Sequence, residues 1–268
     1  MVFSTDKIAS EFLELASEQR INIIQNLDES NYTISQMAKK LDATVPEVHR
    51  NFSRLTKSGF IAKNVDGSYS LTLFGQTVCE QIPWIVFNLE NKKYFTEHNY
   101  ETIPKKFVHR IGELSNSKLI NGHLRVLETW NNIYKNSEKY IYNILVEVSY
   151  SSDIIETLIK KLENNTKIHS IFSESAIVSE DRPKILKQKN FKKFITDETL
   201  KRKMKKEVKA IVVLNEKEAA LCFPSNKNDV DLSKAFYSKD PDFHEWCLDY
   251  FEYSWKNSVT FQESKLRL

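Results

Sequence analysis

The spacing of hydrophobic positions along the first forty residues predicts three helices. Ile8, Phe12 and Leu15 lie at i, i+4 and i+7, and the isoleucine-rich run 21–27 indicates a second short helix or a continuation of the first. The polar residues 28–31 predict a loop after it. The apolar face of the third helix consists of Ile34, Met37, Ala38 and Leu41.

A fourth and longer helix is predicted from Val45 to about Ser58. Val48, Phe52 and Leu55 form its apolar face, and the opposite side carries polar and basic residues. Because the break after the third helix is only a few residues long, the two helices form a compact helix–turn–helix pair.

Polar residues mark the start of both helices of this pair. Thr33 with Gln36 is a capping box, in which the two side chains satisfy free N–H groups of the first turn. Thr44 with Glu47 is expected to cap the fourth helix in the same way, and Pro46 lies in the first turn, where its missing N–H costs nothing.

Turn residues then predict a two-stranded wing. Gly59 ends the fourth helix, and the short β-prone runs 60–65 and 68–72 flank Asp66 and Gly67. Asp-Gly between such runs is the strongest local signal for a hairpin. The resulting order of helix, turn, helix and hairpin, with residues 61–72 as the wing, is that of a winged helix-turn-helix.

The distribution of charge adds a candidate partner to this architecture. The net charge of +3 is the sum of −2 over residues 1–100 and +5 over residues 101–268, and neither figure identifies a ligand. Residues 33–64, however, carry a net +4 within an otherwise acidic segment. Three of its cations, Arg50, Arg54 and Lys57, lie on the polar side of the fourth helix, and a helix of this kind fits the major groove of double-stranded DNA.

The candidate DNA contacts follow from this placement. Arg50 and Arg54 lie one turn apart and can reach base edges or phosphates, and Lys57 is better placed for a phosphate. Lys63 and Asn64 lie beside the tip of the wing. The complete predicted set is Thr33, Ser35, Gln36, Thr44, Pro46, His49, Arg50, Ser53, Arg54, Lys57, Lys63 and Asn64.

Residues 33–73 resemble the winged helix-turn-helix of archaeal and bacterial transcription regulators of the ArsR/MarR type. The run AKKLDATVPEVHRNFSRLTKSGFI, from Ala38 to Ile61, carries the resemblance. Asp42 departs from it, since many members have Gly in this turn. The cysteine pairs of metal-sensing members are missing here, so metal sensing is not implied.

The segment 74–100 is predicted to connect two domains. Its apolar stripe, which includes Val78, Ile82, Ile85 and Leu89, continues past Pro83, where a kink or a restart of the helix is expected. Such a stripe needs a partner, which is either the second domain or another copy of the chain. Operators of regulators usually consist of two half-sites, which favours a homodimer.

The C-terminal half has the pattern of a mixed sheet. A buried strand at 140–148, a helix after Asp153 and a strand at 167–172 form a parallel βαβ unit. A hairpin is expected from 207–214 and 218–223. Asp240 caps a last aromatic-rich helix, with Pro241 at its first position.

Residues 72–258 resemble the companion domain of an archaeal family, the methanogenesis regulatory and filament-growth regulator proteins. The resemblance rests on the motifs at 71–75, 94–98, 103–104 and 240–251. It implies a transcription regulator whose second domain senses a signal or mediates association, and it supplies no ligand.

Several kinds of chemistry lack their sequence signals. The chain has 5 glycines and no Walker, GxGxxG, GxSxG or zinc-protease motif, so no enzyme activity, cofactor or metal is expected. The three cysteines are separate and predict buried free thiols in the cytoplasm. No stretch has the length and hydropathy of a membrane span.

A small-molecule effector remains an open expectation. Glu147, Ser149 and Tyr150 lie at the carboxyl end of a predicted strand, where open α/β sheets place their ligands. The basic run 182–209, with a net charge of +9, is interpreted first as a solvated loop and helix face, then as a second DNA contact or an anion site.

Taken together, these signals predict a chain of mixed α+β and α/β class with three parts. Residues 1–73 form the winged helix-turn-helix, 74–100 the connector and 101–268 an α/β regulatory domain. The predicted function is sequence-specific, dimeric binding of double-stranded DNA in transcription. The alternative is a winged-helix module for protein interaction, or for nonspecific chromatin or RNA association, without an operator.

Overall fold

The chain folds into two compact units. In this computed structural model, the described residues are 5–148, 152–178, 191–227 and 229–266, with the single positions 180, 182, 184 and 187. The two units comprise residues 1–85 and 86–268. The predicted class is confirmed, because helices and a small hairpin form the first unit and a mixed sheet forms the second. The divisions predicted at 73 and 100 stay predictions.

Within residues 5–85, four helices, a hairpin and the start of a fifth helix form the N-terminal unit. They enclose one hydrophobic core, to which α2, α3 and α4 contribute Ile23, Met37, Val48 and Phe52. The elements are α1 (Thr5–Leu15), α2 (Glu18–Glu29), α3 (Ile34–Lys40), α4 (Val45–Lys57), β1 (Ile61–Lys63), β2 (Tyr69–Leu71) and α5 (Leu73–Glu90).

The two predicted capping boxes have different outcomes. At α3 the box is confirmed: Thr33 Oγ1 accepts from the Gln36 N–H at 3.4 Å, and Gln36 Oε1 accepts from the Thr33 N–H at 2.8 Å. At α4 it is wrong, because the side chain of Thr44 makes no capping hydrogen bond. Thr44 is exposed, so water can reach the first-turn N–H groups, and Pro46 already removes one of them.

The turns on either side of α4 need unusual backbone angles. Asp42, at the turn before it, has φ of +49°, in the left-handed region that Asp tolerates better than most residues. This explains how Asp can stand where the resembled family often has Gly. Gly59 has φ of +76° and ends α4, and the Phe60 N–H then donates to Leu55 O at 2.9 Å.

Helix α5 continues through Pro83 from Leu73 to Glu90 without a restart. The boundary between the two units lies inside it. Of the predicted apolar stripe, Val78 and Ile82 pack on the N-terminal core, whereas Ile85 and Leu89 are 42% and 57% exposed. The start of the helix lies close to the carbonyl group of Phe60. A Cβ added to Gly75 would come within 2.0 Å of Phe60 O, so only glycine fits here without a shift.

The C-terminal unit is built on a sheet with helices on both faces. Its strands are β3 (Lys118–Asn121), β4 (Tyr140–Val148), β5 (Lys167–Val178), β6 (Leu200–Lys205), β7 (Ile211–Asn215), β8 (Ala219–Cys222), β9 (Lys234–Ser238) and β10 (Val259–Thr260). Its helices after α5 are α6 (Lys105–Val108), α7 (His123–Asn136), α8 (Ser152–Glu163), α9 (Phe191–Thr196) and α10 (Pro241–Lys256). Short 3₁₀ turns occur at Tyr94–Thr96, Ile111–Leu114 and Glu263–Lys265.

The order of strands confirms the predicted βαβ unit and hairpin. In the described part of the chain the order is β10-β6-β5-β4-β7-β8-β9-β3. Strands β4, β5 and β6 run parallel, with α8 between β4 and β5, and the remaining pairs are antiparallel. Asp240 caps α10 as predicted, since its carboxylate accepts from the N–H groups of Asp242 and Phe243.

Two segment predictions for this unit are wrong. The lysine-rich residues 201–206, expected on a solvated loop or helix face, lie largely in strand β6 between β5 and β10. The strand expected from residue 207 begins at Ile211. Both differences follow from pairing with distant strands, which local composition does not encode.

The motif at 94–98 packs inside the C-terminal unit. The His98 ring stacks on Tyr94 with centroids 3.9 Å apart, and its Nε2 lies 2.9 Å from the Asp231 carboxylate. Although burial raises the pKa of Asp231, the Ser233 hydroxyl, the Ser233 N–H and His98 together lower it. The motif is therefore a packing element of this unit.

The three cysteines are free and buried, as predicted.

Candidate nucleic-acid interface

Helix α4 presents its basic side to solvent because its other side is buried. Val48, Phe52 and Leu55 are at most 1% exposed and fix the rotation of the helix. One turn apart on the outer side, His49 and Ser53 are exposed, as are Arg50, Arg54 and Lys57. The 3.6-residue period thus brings these five predicted contacts to one surface.

The two arginines of this surface differ in their surroundings. Arg54 makes a two-pronged ion pair with Glu14 of α1: Nη2 lies 2.7 Å from Oε1, and Nε lies 2.9 Å from Oε2. The hydrogen bond with Arg54 lowers the pKa of Glu14, and the carboxylate in turn raises the pKa of Arg54. Arg50 makes no such pair among the described residues, so no carboxylate there competes for its guanidinium.

Glu14 is held in place by a second, buried arginine. Arg20 is 7% exposed; its Nε lies 3.5 Å from Glu14 Oε2, and its Nη2 donates to Leu13 O at 2.9 Å. Arg20 also reaches Asn51 of α4, with Nη1 3.4 Å from Oδ1. The end of α1 is therefore fastened to α4 through polar contacts, a relation that the sequence pattern did not indicate.

The wing places one cation at the surface and uses its amide internally. Lys63 is exposed at the end of β1. Asn64 donates to Ser68 Oγ at 3.0 Å and accepts from Ser70 Oγ at 3.1 Å. Asp66 accepts from both the N–H and the hydroxyl of Ser68, which lowers its pKa. Asn64 thus shapes the turn, and Lys63 is the side chain of the pair that extends to solvent.

The remaining predicted contacts lie at the starts of α3 and α4. Ser35, Thr44 and Pro46 are exposed, and Thr33 and Gln36 bind each other in the capping box. The hydroxyl of Ser35 is therefore more accessible to a phosphate than the side chains of its two capping neighbours.

Of the three predicted effector residues, one belongs to the described part of the chain. Glu147 lines a cavity in the C-terminal unit, whereas Ser149 and Tyr150 lie outside the described residues. The same cavity is also lined by Trp130, Asn143 and Ser170, which were not predicted from the sequence. The signal that could have found them is the polar Asn143 and Ser170 within two otherwise apolar predicted strands.

Metal binding and membrane insertion each require a particular arrangement of residues. No group of three or more His, Cys, Asp or Glu side chains there could hold a metal ion. None of the helices in the same ranges has the length and apolar character needed to cross a membrane.

Comparison with known proteins yields one family and several distant folds. Residues 9–92 match the family described as the HVO_A0261 N-terminal domain. No curated protein matches the chain. Among solved structures, TrmBL2, described as an archaeal chromatin protein with a novel mode of DNA binding, is 12% identical with a TM-score of 0.41 and covers 86% of this chain and 88% of its own.

Two further structures align with about half of the chain. NucT from Helicobacter pylori is 12% identical with a TM-score of 0.41, over 54% of this chain and 98% of its own. Nuc from Salmonella typhimurium, a phospholipase D family member, is 8% identical with a TM-score of 0.38, over 55% of this chain and 98% of its own. At these scores none of the three structures defines a function for the chain.

Proposed function

We propose that this protein is a transcription regulator that binds double-stranded DNA in a sequence-specific manner, with α4 in the major groove and the hairpin as a wing. The observation that carries the proposal is the exposed basic side of α4, opposite the fully buried Val48, Phe52 and Leu55. An α-helix of this kind fits the major groove, and Arg can pair with guanine through two hydrogen bonds.

The proposal assigns different roles to the basic residues. Arg50, whose guanidinium is not paired within the described chain, reads a base edge. Lys57 and Lys63 contact phosphates, which position the protein without reading sequence. Arg54 joins the interface after it leaves Glu14. The second unit is assigned to signal sensing or association, and no reaction is assigned to the chain.

Binding as a homodimer is part of the same proposal. Ile85 and Leu89 of α5 are apolar and exposed, which suits a helix that packs against a second copy. A two-fold dimer would present two α4 helices to two half-sites of a palindromic operator. The proposal also includes a winged helix-turn-helix of the ArsR/MarR type and a cytoplasmic location.

The test is selection of genomic duplex fragments by the full chain, followed by affinity measurement on the selected site across salt concentrations. Arg50→Ala should weaken binding to that site by about 1–3 kcal/mol and relax the preference at one base pair. Arg54→Ala should weaken binding less than Arg50→Ala does. In the wild type, Arg54 must break its ion pair with Glu14 before it can contact DNA, and the variant does not have this cost.

Arg125→Ala is the matched control, since Arg125 is an exposed arginine of α7 in the other unit. It should leave the affinity within the error of the measurement. Unchanged specific binding by Arg50→Ala and Arg54→Ala would refute the groove assignment. A steep salt dependence without any selected sequence would instead favour the alternative, a nonspecific chromatin or RNA-associated module.

A further inference from the structure

The C-terminal unit contains a cavity of about 150 Å³ between one face of its sheet and helices α7 and α8. Most of its wall is apolar and includes Leu127, Leu145, Ile155 and Leu158. An apolar cavity of this volume holds one molecule the size of benzene. The space therefore suits a ligand whose apolar body has the size of one aromatic ring.

Two polar side chains reach this cavity from neighbouring strands of its floor. Ser170 on β5 lies opposite Arg202 on β6 in the parallel register, and both residues line the cavity. Because side chains alternate between the two faces of a strand, Ser170 and Arg202 leave the sheet on the same face. A hydroxyl and a charged group therefore lie side by side next to the apolar part of the wall.

Arg202 has unused hydrogen-bond donors on this floor. Its Nη1 lies 3.3 Å from the Glu263 carboxylate, and its guanidinium lies 4.1 Å from the centre of the Phe261 ring. Its Nε and Nη2 have no hydrogen-bond partner among the described residues, and neither atom is sealed off from open space. A guanidinium takes a carboxylate with two prongs along this edge, as Arg54 takes Glu14. One complete anion-binding edge of Arg202 is therefore available.

The hydroxyl of Ser170 is a second available donor. Its Oγ makes no hydrogen bond within the described part of the chain, yet the atom is not sealed off from open space. Because Ser170 as a whole is only 5% exposed, the space that Oγ reaches is the cavity. A hydroxyl in an apolar wall is destabilising without a partner, and a ligand oxygen or a water satisfies it.

The charges around Arg202 favour a further anion. Arg182, which is 4% exposed and also lines the cavity, hydrogen-bonds the same Glu263 carboxylate. Burial lowers the pKa of Arg202, Arg182 adds to this effect, and Glu263 compensates for it only in part. Glu147 also lines the cavity, but it is exposed, so water screens its charge. A second anion on Arg202 would therefore stabilise the charged form that Glu263 stabilises incompletely.

We propose that this cavity binds a small carboxylic acid in its ionised form, with an apolar body the size of one benzene ring. The carboxylate accepts from Nε and Nη2 of Arg202 and from the Ser170 hydroxyl, since its two oxygens offer about four acceptor sites. The apolar body lies beside Leu127 and Leu158, and Glu263 stays on Nη1. The role of this ligand as an effector rests on the proposed DNA-binding function, whereas its binding does not.

Isothermal titration calorimetry of the full chain with four probes tests the ligand class. Benzoate should bind about tenfold more tightly than benzamide, which has the same shape without the charge, because hydrogen bonds to a charged group are stronger. Acetate, which lacks the apolar body, should bind more weakly than benzoate, and the cation benzamidine more weakly than benzamide. Equal affinities for benzoate and benzamide or for benzoate and acetate, tighter binding of benzamidine, or no binding of any probe (a cavity filled with water only) would overturn the proposal.

Two variants of strand β6 test the role of the guanidinium. Arg202→Met removes the charge, keeps an unbranched side chain and should weaken benzoate binding about tenfold, with little effect on benzamide. Lys201→Met is the matched control, because Lys201 pairs with Glu198 on the other face of the same strand, and it should preserve benzoate binding. Benzoate affinity that Arg202→Met leaves unchanged, or that both variants reduce equally, would contradict the assignment.

Two further substitutions keep the site testable if thermal unfolding shows that Arg202→Met does not fold. Ser170→Ala removes one donor and should weaken benzoate binding about fivefold. Leu158→Phe fills the space for the apolar body and should abolish benzoate binding, whereas Ile159→Phe, at the next residue of α8 and outside the cavity wall, should preserve it. Wild-type affinity in both Ser170→Ala and Leu158→Phe would refute the site.

The binding measurements contain no DNA, so the two proposals fail separately. A chain that binds benzoate but selects no duplex contradicts the regulator proposal alone. A chain that selects an operator but binds none of the probes contradicts the cavity proposal alone.

Discussion

Single residues decide which cations of α4 are available, and Glu14 is the clearest case. Its carboxylate holds Arg54 in the free protein and adds a negative charge beside the proposed DNA surface. Glu14→Gln should therefore strengthen duplex binding by about 0.5–1 kcal/mol, the scale of an exposed ion pair. Fluorescence anisotropy with a labelled operator at fixed salt measures the change.

Glu18→Gln is the control for this prediction, because it removes the same charge from an exposed site at the start of α2. It should change the affinity much less. An equal gain from both variants would mean that net charge, and not the release of Arg54, controls binding.

A second residue-level prediction concerns His169. Its ring stacks between Tyr142 and Trp255, with centroids 4.9 Å away in both cases. Burial, reinforced by Lys201 and Lys167, lowers its pKa from 6.5 to about 4. Between these values the unfolded chain binds more protons than the folded one, so stability is present above pH 6.5 and decreases as the pH falls towards 4.

The variant His169→Phe keeps an aromatic ring in the stack and removes the titration. Urea unfolding at pH 7.5 and pH 5 should show that the wild type loses about 1 kcal/mol more than the variant; this is below the full linkage value because the ring is only half-buried. The same loss in both proteins would exclude His169 as the source of acid sensitivity.

At the level of elements, the start of α5 depends on Gly75. Its backbone packs against Phe60 O, which also accepts from the Thr72 N–H at 3.0 Å. Helix propensity alone would make Gly75→Ala stabilising. The steric conflict of the new Cβ with the Phe60 carbonyl should outweigh this gain in helix propensity and destabilise the protein by about 1–3 kcal/mol.

Chemical denaturation compares this variant with Gln76→Ala, a change at the next and exposed position of α5. Gln76→Ala should be close to neutral. A stability equal to or above that of the wild type for Gly75→Ala would show that Phe60 and its neighbours can move away at little cost.

Elements with a strong local period were predictable, and those that depend on distant partners were not. Helix α4 follows from the spacing of Val48, Phe52 and Leu55, and its basic side follows from the same period. Strand β6 was missed because its lysines suggest solvent, whereas Lys203 donates to Trp255 O at 2.9 Å and lies 4.8 Å from the centre of that ring.

The candidate interface shows the same division. Which side chains of α4 face outward could be predicted, since helical geometry fixes them once the core face is known. The ion pair between Glu14 and Arg54 could not be predicted, because it joins residues 40 positions apart in the sequence. The Thr44 box failed for a related reason: the sequence indicates the right residue types but not whether the cap is made by a side chain or by water.

For the whole molecule, the proposed dimer places Ile85 and Leu89 in a helix–helix contact. Replacing both by Glu would bury charge in that contact and should convert the dimer to a monomer. Sedimentation velocity at several concentrations measures the state. Leu124→Glu, at a 75% exposed position of α7, is the control and should remain dimeric.

Retention of the dimer by the α5 variant would locate the association surface elsewhere. A monomeric wild type would contradict dimerisation itself. In that case the operator would contain one site and not two symmetric ones.

The two ends of the sheet bear on how the protein behaves at high concentration. Among the described residues, the outermost strands are β10 and β3, which have only two and four residues. A long open edge would offer unpaired backbone groups on which a foreign strand could grow, whereas such short edges offer little template. Association through these sheet edges is therefore disfavoured, and contacts between copies are left to the helical surfaces.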